Sequence, residues 1–315
     1  MHSRYCWIPI LFLFFGFVLF GSGCGKQTVN PVTAPLPAPV EQKISEDPEG
    51  TKRLIWEAYR QVLAEVASGE FPVDAGKAKA MTQGKESGYL FIDLRSPADY
   101  AGKHVRGAVN LSIVSLAEKI DRLPADKTMV LYCYTGQSSA LAMAPLKAYG
   151  YQAIFINGGF ANLEKAGFVM DTVKSEFSVA DAKQENDSRA GALAGIKSNL
   201  LAIARQHSVK TLVVAQTDTK ELVEGSPSKY AFVDLRPRED FERGHIRGSI
   251  SAPLAEMQSK LSLLPKDKRL ILCCKSGQLA AMATAPLTAE GFKIISLCAG
   301  FSQLNENNFP MEKKQ

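Results

Sequence analysis

At 315 residues the chain can hold two ordinary domains, and its 46% hydrophobic and 22% charged residues are the balance of a protein with real cores. A formal net charge of +5, with no long basic run, argues against a nucleic-acid partner. Six cysteines with no CxxC spacing and no Cys/His cluster argue against both a disulfide framework and a zinc site.

The first segment, Met1–Gly23, carries Arg4, then an apolar run from Trp7 to Phe20, then the small residues Gly21, Ser22 and Gly23. A bilayer span needs about 20 apolar residues, so this shorter run reads as a secretory signal. Its passage into Cys24 resembles a bacterial lipoprotein signal, which implies that Cys24 is lipidated and becomes the new N-terminus. The usual Leu three residues before the cysteine is here Gly21. Gly25, where Asp would favour the inner membrane, points to the outer one. A soluble exported protein and an uncleaved anchor are the alternatives. Residues 24–50 hold five prolines from Pro31 to Pro48 and few large apolar residues, the composition of a semi-extended tether.

From Thr51 the chain is written twice, at an offset of 141 residues. Asp93-Leu94-Arg95 returns as Asp234-Leu235-Arg236, and His104 as His245. Cys133 returns as Cys274, and Gly159-Phe160 as Gly300-Phe301. Residues 51–175 and 196–315 are therefore read as two similar domains. The polar, glycine-containing stretch 176–195 is read as their linker.

Each copy alternates helices and strands. Leu54, Ile55, Ala58, Tyr59, Val62, Leu63 and Val66 recur at helical spacing, and Ile55 has a counterpart in Ile196. The runs 89–94, 128–133 and 151–156, repeated at 230–235, 269–274 and 292–297, are buried strands. Ala-rich helices are expected over 138–149 and 279–290. The pattern predicts an α/β fold, each domain a mostly parallel sheet flanked by helices.

Cys133 and Cys274 each end a strand and precede a short loop and a helix. Ligands of open α/β sheets sit beyond such strand ends. Tyr134, Thr135, Gly136, Gln137 and Ser138, and likewise Lys275, Ser276, Gly277, Gln278 and Leu279, turn the chain there. Successive backbone N–H groups in such a loop can hold an anion and lower a thiol's pKa. The loop thus supplies a nucleophile and its stabiliser together.

Four ordered signatures recur in both copies: Asp-Leu-Arg at a strand end, Asp-Tyr/Phe-x-x-x-His-x-x-Gly, Cys-x-x-Gly, and Gly-Phe after the last strand. Together they resemble the rhodanese domain, over nearly everything from Thr51 to Pro310. The resemblance implies a sulfurtransferase in which Cys133, Cys274 or both carry a sulfane sulfur as a persulfide. The donor is thiosulfate, mercaptopyruvate or polysulfide, and the acceptor is cyanide or a thiol. No metal or organic cofactor is implied. Ser138 can donate a hydrogen bond at the fifth position after its cysteine, whereas Leu279 cannot. Lys275 would attract an anionic donor. The more polar loop and the lack of a vicinal cysteine favour Cys133.

Plainer roles compete. Either cysteine could be an inert core thiol. Asp93 with Arg95, and Asp234 with Arg236, are expected to brace the loops by ion pairing rather than act as acids and bases. His104 and His245 are expected to be structural. Cys273 should face away from Cys274, and Cys298 is expected to be structural too. A Cys-based phosphatase would need an arginine in the loop, and neither loop has one. A thiol redox protein would need a second, resolving cysteine. The remaining alternative is a non-catalytic rhodanese module that carries sulfur or binds a partner in the cell envelope.

Overall fold

Proline lacks the N–H that a helix's first residue has no use for, and Pro48 opens the first helix, α1 (Pro48–Ala67). The expected tether therefore gives way to helix three residues before Thr51. The computed structural model describes residues 48–67, 71–175, 190–208, 213–214, 227–297, 300–301 and 309–313. The expected signal, Cys24, most of the tether, residues 176–189 and Cys298 lie outside the described residues.

In chain order, α1 is followed by α2 (Ala75–Thr82), β1 (Tyr89–Asp93), α3 (Pro97–Gly102), β2 (His104–Val105), β3 (Val109–Asn110) and α4 (Ile113–Glu118). Then come β4 (Thr128–Tyr132), α5 (Gln137–Tyr149), β5 (Ala153–Phe155), α6 (Phe160–Lys165) and β6 (Met170–Asp171). The second copy runs α7 (Ala190–Ser208), β7 (Val213–Val214), β8 (Tyr230–Asp234), α8 (Arg238–Arg243), β9 (His245–Ile246) and β10 (Ile250–Ser251). It ends with α9 (Met257–Lys260), β11 (Arg269–Cys273), α10 (Gln278–Ala289), β12 (Lys293–Leu297) and β13 (Met311–Glu312). The short helices α2, α3 and α4 start where Asp74, Ser96 and Ser112 accept N–H groups of the first turn.

Two parallel sheets result, with the order β3-β1-β4-β5 in the first copy and β10-β8-β11-β12-β7 in the second. Val73 bridges Ile156 where its counterpart Val214 pairs with β12. The registers agree: Asp93 lies opposite Tyr132, and Asp234 opposite Cys273. Each central strand therefore sets an aspartate beside the residue that precedes the loop cysteine. In both copies the strands before these loops are buried apolar runs, as helices on both faces require.

The expected linker ends earlier than its composition suggested, because residues 190–195 already belong to α7. Glycine in a helix is unfavourable in isolation, and tertiary packing overrides it here. A Cβ on Gly195 would lie 2.3 Å from Ile55 Cδ1, so α1 and α7 cross closely at that point. Tyr59 Oη, on a fully buried ring, donates to Asn199 Oδ1 at 3.1 Å across the same crossing.

The two copies are not separate beads. Helix α5 packs along α10, and α1 lies against both. Helix α7, which opens the second copy, packs on α4 and α5 of the first, and Lys197 pairs with Asp121 at 2.9 Å. In return α1 reaches the turn around Leu254 in the second copy. One hydrophobic core runs through both copies, from Trp56, Tyr59 and Met143 to Leu200, Met282 and Leu287.

Because this core is shared, the protein is expected to melt in one calorimetric transition. Tyr59→Ala should remove about 3–5 kcal/mol and lower that single transition without splitting it. Two resolved transitions, in either protein, would contradict the shared core.

Candidate active site

Each loop cysteine follows the last residue of a central strand, so its side chain is aimed by the sheet. Cys133 and Cys274 are both buried. Gly136 N donates to Cys133 Sγ at 3.2 Å, and Gly277 N donates to Cys274 Sγ at 3.1 Å. Gly136 achieves this with φ +91°, a left-handed conformation that only glycine adopts without strain. The next residue begins α5 or α10, so the sulfur sits at a helix N-terminus with peptide N–H groups pointing towards it.

The two thiols differ beyond that. Ser139 is fully buried, its hydroxyl lies 3.7 Å from Cys133 Sγ, and it also donates to Gly136 O at 3.0 Å. Ser139, the third residue of α5, was not singled out from the sequence. In the second copy Ala280 holds this place, and its backbone N lies 3.4 Å from Cys274 Sγ. Burial pushes the Cys274 thiol above its ordinary pKa, against the pull of the N–H groups of Ala280, Ser276, Gly277 and Leu279. Leu279 has no side-chain donor, yet its backbone does take part.

The Asp-Leu-Arg and Gly-Phe signatures brace this loop. Asp93 and Arg95 form a buried ion pair, with Arg95 Nη2 2.7 Å from Asp93 Oδ2 and donating to Lys103 O at 2.6 Å. The Arg95 guanidinium lies 3.6 Å from the centre of the Phe160 ring, a cation–π contact. Phe160 N in turn donates to Cys133 O at 2.8 Å. The second copy repeats every link: Arg236 to Asp234 at 2.7 Å, Arg236 to Gly244 O at 2.7 Å, Arg236 over Phe301 at 3.2 Å, and Phe301 N to Cys274 O at 3.0 Å. A Cβ on Gly159 would lie 2.4 Å from Cys133 O and 2.5 Å from Tyr134 O, which explains the glycine before this phenylalanine.

His104 stacks on Tyr100, and its ring nitrogens lie 2.6 Å from Tyr100 O and 3.0 Å from Val173 O. His245 stacks on Phe241, with its nitrogens at Phe241 O and Glu312 Oε1. Both histidines are thus engaged away from the cysteines, in structural roles. Cys273 and Cys274 are free thiols that enter different apolar clusters, on opposite faces of the sheet. Burial holds the Cys273 thiol well above its ordinary pKa. Among the described residues no three His, Cys, Asp or Glu side chains gather as metal ligands.

Some of the site was not foreseen. At the rim, exposed Tyr134 hydrogen-bonds through its hydroxyl to Asp99 and accepts from Ser96 N at 3.2 Å. Lys275 takes the matching position in the second copy. More unexpectedly, Gln278 Nε2 donates to Thr135 O at 3.0 Å, from one copy's loop to the other's. No spacing within either copy could signal that contact.

The rhodanese-like domain model matches this sequence over residues 74–166 and again over 215–307. Thiosulfate sulfurtransferase GlpE of Pseudomonas syringae pv. syringae is 32% identical over 91 residues, which is 29% of this chain and 85% of that protein. The probable adenylyltransferase/sulfurtransferase MoeZ of Mycobacterium tuberculosis is 31% identical over 122 residues, 36% of this chain, which spans only 30% of that relative's length. A crystal structure of thiosulfate sulfurtransferase from Pseudomonas aeruginosa aligns with 83% of this chain and 48% of its own, at 18% identity and a TM-score of 0.36. With one family pattern matched twice over more than half its length, and a loop cysteine at the same place in each match, the chain belongs to the rhodanese-like family and carries two of its domains.

Proposed function

We propose that this protein is a sulfurtransferase whose working thiol is Cys133. The observation that carries the reading is the setting of that sulfur: at a strand end, on the Gly136 N–H, at the N-terminus of α5. A peptide N–H at a helix N-terminus offers a place for negative charge on the sulfur and on an incoming anion. The thiolate attacks the outer sulfur of thiosulfate or a polysulfide, or the single sulfur of mercaptopyruvate, whose C–S bond then breaks as pyruvate leaves as its enolate. With thiosulfate the donor's S–S bond breaks and sulfite leaves with the electron pair. The resulting persulfide gives its outer sulfur to cyanide or a thiol, and the Cys133 thiolate is regenerated. The reaction needs neither metal nor organic cofactor, and the likeness to a thiosulfate sulfurtransferase supports thiosulfate-like donors.

The second copy favours a different use. Cys274 has Ala280 where Cys133 has Ser139, and burial raises its thiol. It fits a sulfur-carrying or partner-binding module better than a second catalytic centre. The signal-like N-terminus extends the proposal to the periplasmic side of a bacterial membrane, with Cys24 as a lipid anchor and the outer membrane as its site.

Cys133→Ser should cut thiocyanate formation from thiosulfate and cyanide at least ten-fold, about 1.4 kcal/mol or more of transition-state stabilisation. Cys274→Ser should keep most of it. Peptide mapping should find the added sulfur on Cys133, and full activity in the double variant would sink the mechanism. Cys274 alkylation by iodoacetamide should have its midpoint above the ordinary thiol pKa of about 8.5, because thiolate appears only as pH passes the raised value. A midpoint below that would reject the assignment of burial as the dominant effect. Asp93→Ala would leave Arg95 buried without its carboxylate, so denaturant melts should show a loss of ~3–5 kcal/mol together with reduced sulfur transfer.

A further inference from the structure

We propose that Gln278, from the second repeat, is a positioning residue for the Cys133 site: it pins the peptide group whose N–H donates to the Cys133 sulfur. The inference rests on Cys133 being the sulfur-carrying thiol.

The peptide between Thr135 and Gly136 is a single rigid plane, with its C=O and N–H pointing in opposite directions. Its N–H donates to Cys133 Sγ at 3.2 Å. Its C=O accepts from Gln278 Nε2 at 3.0 Å. Gln278 therefore holds one end of the plane while the sulfur takes the other. A donor on the carbonyl fixes the tilt of the plane and polarises the N–H, and hydrogen bonds chained through one group strengthen each other. The contact is also tight in space, since a Cβ on Gly136 would lie 2.4 Å from Gln278 Nε2. The loop around Cys133 is thus completed by the other repeat.

The choice of residue points the same way. Gln278 is 3% exposed, and its Oε1 is buried without a hydrogen-bond partner. Such an acceptor costs desolvation that an apolar side chain of the same length would avoid. Packing alone therefore does not account for glutamine here, whereas its donating end has a defined use. Gln278 begins α10, one residue after the glycine that holds Cys274. A movement of the Cys274 loop would reach the Thr135–Gly136 peptide through this one side chain.

The test uses the full chain with Cys274→Ser as parent, so that Cys133 is read without its partner thiol. Gln278→Met keeps the length and removes the donor; Gln278→Glu keeps the shape and replaces the donor with an acceptor. The rate of Cys133 alkylation by iodoacetamide, followed by peptide mapping across pH, reports its thiolate whether or not sulfur is transferred. Asp93 and Arg95 behind Phe160, Asp99 on the Tyr134 hydroxyl, and Lys275 on the facing loop stay unchanged. Both variants should slow Cys133 alkylation roughly three-fold at neutral pH. They should also lower the yield of Cys133 persulfide with thiosulfate. A pH profile that superimposes on the parent's would overturn the proposal, as would melting curves showing that neither variant folds, which would make Gln278 a clamp between repeats only. A shifted profile in a protein that forms no persulfide with thiosulfate or polysulfide would instead reject the sulfurtransferase reading and leave the positioning role standing.

Discussion

Small side chains along α5 and α10 let these two helices pack directly on each other, and most of the molecule is arranged around that contact. Ala140, Ala142, Ala144 and their counterparts Ala281, Ala283 and Ala285 are all buried. Each helix begins at a cysteine loop, so bringing the helices together also brings the loops together. The crossing of α1 and α7 follows from the same packing: each lies on the partner copy as well as its own, and Gly195 admits Ile55. A buried cluster that draws residues from both copies joins two family domains into one packed unit.

Within each copy a relay of contacts runs from the sheet to the sulfur. The parallel register sets Asp93 beside Tyr132, Asp93 holds Arg95, and Arg95 lies on Phe160. Phe160 then binds the carbonyl of Cys133. A buried ion pair is a weak source of stability because desolvation offsets its attraction. Here it works as a fixed strut, ending on a ring and two backbone carbonyls. Its repetition in the second copy shows that the strut belongs to the fold, whereas Ser139 and Tyr134 have Ala280 and Lys275 in their places in the second copy.

That contrast explains how two loops of one design diverge. Both offer glycine N–H groups to a buried thiol. Only the first adds a hydroxyl beside the sulfur and a phenol at the rim. The second presents Lys275 at the rim and lends Gln278 to its neighbour. Duplication keeps the scaffold and leaves individual side chains at the loop free to serve either copy.

Much of this was legible beforehand, for local reasons. A constant offset of 141 residues showed two copies with equal element lengths. Apolar runs gave the strands, and the loop cysteines, the two Asp-Arg pairs and both glycine turns lie in windows short enough for spacing to carry them. Where expectation and structure parted, the cause lay in distance along the chain. Gly195 looks like linker until α1 is packed against it, and Pro48 looks like tether until it is seen at the first turn of α1. That the Ser139 hydroxyl lies beside Cys133 depends on how α5 starts. Sequence alone thus determined the repeated α/β domains and the thiols at their strand ends, because hydrophobic period and turn chemistry act over a few residues. Only the tertiary structure decided that the repeats share a core and that Gln278 braces Thr135 across the interface, because those contacts join residues some 140 positions apart, where no local pattern reaches.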